Sequence, residues 1–141
     1  MADLAAALDY ARTHRRCVLI TLKKDGRPQS SHVSQWTDVD GVMRVSLTAD
    51  RAKTKNLARD PRVSLHVQAD DFWSYAVLEG DAELSPVAAD PADATVDLLV
   101  EYYRALSGEH PDWDDYRRAM VADRRLVLSV RPTYAYGMLP S

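Results

Sequence analysis

The densest run of potential chemistry in the chain is Asp50-Arg51-Ala52-Lys53-Thr54-Lys55-Asn56. The pattern is that of a short helix over 50–59, with Asp50 as its N-cap and Asp60-Pro61 as its stop. Arg51 and Lys53 then fall in the first turn, where the partly positive helix terminus disfavours cations. Two cations set beside free backbone N–H groups make an anion site. Arginine adds a fork that matches two phosphate oxygens. Asn56, one turn beyond Lys53, offers an amide donor from the same side. A solvated basic helix would carry the same residues, so the pattern alone leaves both readings open.

Two further segments break ordinary rules. A strand over 28–36 would carry Pro28, Ser30, His32, Ser34 and Trp36 on one face and Gln29, Ser31, Val33 and Gln35 on the other. Neither face is an apolar stripe, whereas a barrel strand normally buries one. Its polar groups need a ligand, a second subunit or, on an exposed edge strand, solvent. In Phe72-Trp73-Ser74-Tyr75, strand alternation sends Trp73 and Tyr75 to one face. Such aromatics suit a flat ligand or a subunit interface, and equally a barrel core.

Other chemistries lack their residues. There is no Gly-rich phosphate loop and no Gly-x-Ser-x-Gly elbow. His14, His32, His66 and His110 are scattered without metal-ligand spacing, so no metal site is expected. The single cysteine, Cys17, heads the apolar run Cys17-Val18-Leu19-Ile20 and reads as a small buried hydrophobe.

The elements that must position these residues follow from periodicity. Leu4, Ala7, Leu8 and Ala11 recur at helical spacing over 3–14. Strands are expected over 17–23, 28–36, 42–48, 62–68, 72–84, 125–130 and 134–138, with Asp25-Gly26 turning the first hairpin and a bend at Gly80. Helices are expected over 91–106 and 113–122. Strands joined by hairpins with a few helices set aside predict a mainly β fold, an antiparallel barrel with flanking helices.

The bulk properties bound the rest. The 141 residues suit one domain spanning 1–141. A net charge of -3 provides no basic field for nucleic acid. No stretch is apolar enough to span a bilayer, and the start lacks a signal-peptide pattern, so a cytoplasmic location is expected.

The motifs Lys24-Asp25-Gly26-Arg27-Pro28-Gln29, Arg51-Ala52-Lys53-Thr54-Lys55-Asn56-Leu57, Asp60-Pro61-Arg62, Trp73-Ser74-Tyr75-Ala76-Val77-Leu78-Glu79-Gly80 and Trp113-Asp114-Asp115-Tyr116-Arg117 span nearly the whole chain. Together they resemble the pyridoxamine-phosphate-oxidase-like (FMN-binding) split β-barrel superfamily, and within it the F420-dependent (deazaflavin) oxidoreductases. The resemblance implies a homodimer with two cofactor sites at its interface. It implies that Arg51, Lys53 and Asn56 hold the cofactor phosphate with Ser46 and Thr48 nearby. It implies that Gln29, Ser31 and Val33 line the deazaflavin ring, and that Trp73 and Tyr75 reach in from the other subunit. The implied activity is hydride transfer from reduced F420 to an unsaturated small molecule, which needs no protein nucleophile; no catalytic residue is assigned. Tyr134, Tyr136 and Met138 are candidates for the pocket walls. The alternatives are an FMN-dependent oxidoreductase of the same fold and a non-catalytic flavin or deazaflavin carrier.

Overall fold

A computed structural model describes residues 3–140. In chain order the elements are α1 (Leu4–Arg12), β1 (Arg16–Leu22), β2 (Pro28–Ser34), β3 (Trp36–Thr37), β4 (Met43–Thr48), α2 (Ala52–Arg59), β5 (Arg62–Gln68), β6 (Tyr75–Leu84), α3 (Ala94–Ser107), α4 (Trp113–Ala122), β7 (Arg125–Val130) and β8 (Tyr134–Met138). All the strand pairings are antiparallel. They run β2-β1-β5-β6-β7-β4-β3 and curl into a half-barrel, with β8 paired to β6. β2 and β4 approach each other across the opening.

Alternation builds the core. Leu19, Val45, Leu47, Leu65, Leu78 and Leu128 point inward and are almost wholly buried. Each contributes about 1.5–3 kcal/mol of apolar burial. Helix α1 adds Ala7 and Ala11 to the same core, and α3 and α4 pack Leu99, Val100 and Tyr116 on Val127 of β7. Cys17 is buried as expected, and desolvation pushes its thiol up to about 12.

Three expectations change for local physical reasons. The strand expected over 28–36 breaks at Gln35, which is 1% exposed. Its Nε2 donates to the carbonyls of Ala11 (2.7 Å) and His14 (2.8 Å), while its Oε1 accepts from Thr37 Oγ1 (2.6 Å). Pinned under the end of α1, Gln35 lets the chain leave β1 as β2 and join β4 as β3. The strand expected over 72–84 starts at Tyr75, because the Asp71 carboxylate accepts from the backbone N–H groups of Trp73 and Ser74 and from Ser74 Oγ. Those bonds make a local turn that competes with strand pairing. The third helix starts at Ala94 and not near Pro91, since Asp93 caps it through Val96 N–H.

The bend expected at Gly80 marks a change of partner. Along one edge of β6, Tyr75–Glu79 pair with β8 and Ala82–Leu84 pair with β7. Between the two ladders Arg131, Pro132 and Thr133 oppose only Gly80 and Asp81, a local bulge. A Cβ at Gly80 would lie 3.0 Å from both the Arg131 carbonyl oxygen and Val130 Cγ1. No described helix is long and apolar enough to cross a membrane.

Candidate functional site

Helix α2 starts differently from the other three helices. Asp3, Asp93 and Asp112 cap α1, α3 and α4 by accepting a backbone N–H from the first turn. The N-cap of α2 is Arg51, one residue past the expected Asp50, and no side chain caps it. Asp50 lies instead in the turn that ends β4. The turn is fixed by Thr48, whose carbonyl accepts from Arg51 N–H (3.2 Å) and Thr54 Oγ1 (2.7 Å). The helix thus presents first-turn N–H groups and the basic side chains of Arg51 and Lys53 at one end.

Strand β4 delivers Ser46 and Thr48 to this corner, on the face turned away from the core. Pairing with β7 sets Thr48 opposite Arg125, and Arg125 Nη1 approaches Ser46 Oγ at 3.4 Å. Lys53 feels the same group. Partial burial, then the charges of Arg51 and Arg125, press its ammonium below the ordinary lysine value. Six arginines elsewhere, Arg12, Arg44, Arg62, Arg104, Arg117 and Arg118, pair with carboxylates. Arg51, Lys53 and Arg125 form no ion pair among the described residues, so like charges gather without an internal counter-ion. Periodicity gave no sign of Arg125, which reaches the site through a strand register formed far along the chain.

Asn56 is not turned towards that cluster. It is buried, and its Nδ2 donates to Gln29 Oε1 (2.7 Å) and Thr21 Oγ1 (3.1 Å) while its Oδ1 accepts from Arg59 (2.8 Å). Its amide therefore ties α2 to β1 and β2 and orients Gln29. Gln29, Ser31 and Val33 share one half-buried face of β2, opposite Thr21, Leu19 and Cys17 of β1. Ser31 Oγ is buried there with no hydrogen-bond partner. Such a group normally finds one, so an unpartnered hydroxyl on a polar strand face suits a bound polar molecule.

Trp73 and Tyr75 do not share a strand face, because Trp73 belongs to the Asp71 turn. Phe72 and Trp73 are 85% and 78% exposed and meet edge to face. Tyr75 packs near His66, beside a hollow of about 540 Å³ that these residues line. Tyr134 and Met138 are exposed on β8, with Tyr136 between them. A separate cleft of about 560 Å³ lies where β6 changes partner, lined by Arg44, Arg62 and Arg131 with Glu79, Asp81 and Glu83. Its charges are of mixed sign, whereas Arg51, Lys53 and Arg125 are all positive. No group of three or more described His, Cys, Asp or Glu residues is placed to hold a metal.

The donor set at α2 fits a phosphate: two arginines, a lysine, two hydroxyls and helix N–H groups, with a polar strand face alongside. The family described as pyridoxamine 5'-phosphate oxidase matches residues 4–138. A solved structure named as an F420 reductase superposes with a TM-score of 0.69 at 25% identity, covering 91% of this chain and 94% of its own. A conserved hypothetical protein from Mycobacterium tuberculosis gives a TM-score of 0.71 at 21% identity, over 97% of this chain and 88% of its own. The heme storage protein HutZ from Vibrio cholerae gives 0.67 at 12% identity, over 92% and 89%. The last two are similar in fold.

Proposed function

The chain belongs to the pyridoxamine 5'-phosphate oxidase family, and from that footing we propose that it is an F420-dependent reductase acting on an unsaturated small molecule. The observation that carries this reading is the unpaired cluster at the uncapped start of α2. Arg51, Lys53 and the helix N–H groups would hold the cofactor phosphate, with Ser46 and Thr48 beside it. Gln29, fixed by Asn56, and Ser31 and Val33 would line the ring, and Ser31 Oγ would there gain a polar partner. The similarity to a protein named F420 reductase supports the choice of cofactor. The reduced deazaflavin supplies a hydride, so this chain need only bind, orient and exclude water.

A second copy of the chain would complete the cleft, bringing the exposed Trp73 and its neighbour Tyr75 over the ring face. Large exposed aromatics with a polar handle fit that place.

Side-by-side titration with F420 and FMN tests the assignment, followed by mixing reduced F420 with conjugated acceptors. Tight F420 binding and acceptor-dependent oxidation are expected. Tight binding of FMN alone would move the protein to flavin chemistry. Tight F420 binding without oxidation across the panel would make it a carrier. Sedimentation is expected to give a dimer, and a monomer that binds the ring fully would remove Trp73 and Tyr75 from the site.

A further inference from the structure

We propose that Arg125 is a further anion-binding residue of this site, clamping the cofactor phosphate from the strand side while Arg51 and Lys53 hold it from the helix. The inference rests on the cofactor reading above and goes beyond it in adding a residue and a binding geometry. Arg125 opens β7, directly across the ladder from Thr48, so it stands at the strand end from which the chain turns into α2. Its Nη1 makes only a long 3.4 Å approach to Ser46 Oγ. Its Nε is buried with no partner at all. A guanidinium offers five N–H donors in a rigid fork. Here that fork is nearly unspent, although the chain holds its stem in place.

The surroundings favour an oxyanion as the missing partner. No ion pair joins Arg125 to a described carboxylate, and Lys53 feels the positive charges of both Arg51 and Arg125. Tyr102 and Tyr116, which both feel the Arg125 charge, spend their hydroxyls on the Ser34 (2.7 Å) and Leu99 (2.9 Å) carbonyls. A tetrahedral phosphate can turn one non-bridging oxygen towards the Arg125 fork and another towards the helix end. Lysine could supply the charge at this position but not the paired geometry.

The test compares phosphate-bearing with phosphate-free ligands, FMN and riboflavin being the pair that differs in the phosphate alone. Wild type, Arg125→Met, Arg125→Lys and the double variant Arg51→Ala/Lys53→Ala are titrated with F420 and FMN. The same proteins are titrated with riboflavin and the phosphate-free deazaflavin chromophore. Arg125→Met is expected to weaken the phosphate-bearing cofactor by about 30-fold and Arg125→Lys by about fivefold. Both are expected to leave the phosphate-free ligands unchanged. Arg125→Lys keeps the charge and stem, so it carries the test if methionine disturbs the strand. Equal losses for phosphate-bearing and phosphate-free ligands would make Arg125 a structural residue and overturn the inference. Wild-type affinity in both Arg125 variants, with a loss in the double variant, would overturn it and leave the α2 site standing. Wild-type affinity in all three would remove the α2 site itself.

Discussion

The starts of α2 and α3 solve the same physical problem in opposite ways. Each helix leaves backbone N–H groups without intrahelical acceptors. At α3 the chain satisfies them itself: the Asp93 carboxylate accepts from Val96 (2.8 Å), Ala89 (2.9 Å) and Asp90 (3.1 Å) N–H groups. Those bonds hold its carboxyl below the ordinary aspartate value. Asp97 follows in the first turn and pairs with Arg117. At α2 an arginine stands at the N-cap, the first turn contains no acid, and Lys53 is pressed by two like charges. One start is complete without any other molecule, and the other carries a cost that an anion would relieve. Local rules broken together at one place point to a binding site more strongly than any single basic residue does.

The sharpest way to break the contrast is to make α2 resemble α3. Arg51→Asp installs a capping carboxylate and reverses a charge. F420 affinity is expected to fall by about 1,000-fold. Thermal unfolding of the free protein is expected to show a gain of about 0.5–1 kcal/mol. A variant that loses stability as well as binding would show that Arg51 supports the fold rather than the ligand.

The depressed Lys53 value makes the second prediction. The ammonium loses its proton below the ordinary 10.5 in the free protein, while a bound phosphate favours the charged form. Binding therefore takes up protons on the alkaline side, and affinity falls as pH rises through the depressed value towards 10.5. A loss of about tenfold is expected by titration across that window, and Lys53→Arg should remove it because arginine stays charged. An identical alkaline profile in Lys53→Arg would assign the titration to another group.

At α3 the same surgery reports on stability alone. Asp93→Ala is expected to cost about 1–2 kcal/mol by chemical denaturation at neutral pH and to leave cofactor affinity unchanged. The carboxyl is depressed in the folded state. Its contribution is therefore present above the unfolded value of 3.8 and drains away as pH falls through the folded one. The gap between wild type and variant should close in acid.

What the sequence disclosed follows the range of the forces involved. The strands over 62–68, 125–130 and 134–138 form as expected because alternation is a local pattern. The breaks at Gln35 and Trp73 were hidden for different reasons. Gln35 is held by carbonyls of α1, a tertiary contact, whereas Asp71 wins a local contest with strand pairing. Helical spacing alone placed Asn56 beside Lys53, but burial against Thr21 and Gln29 takes its amide elsewhere. Arg125 was illegible because only the β4–β7 register sets it opposite Thr48.

The smallest expected effect separates the ring face from the phosphate corner. A buried serine hydroxyl that makes a hydrogen bond contributes about 1 kcal/mol, and one without a partner contributes nothing comparable. Ser31 Oγ is of the second kind in the free protein. Ser31→Ala is therefore expected to leave unfolding unchanged within about 0.5 kcal/mol. If the hydroxyl meets the ring, the same change weakens cofactor binding about threefold, and it does so equally for ligands with and without phosphate. Arg51 and Lys53 variants should discriminate between those ligands strongly. A Ser31→Ala loss confined to phosphate-bearing ligands would place the hydroxyl at the phosphate corner, and β2 would no longer be the floor of the ring.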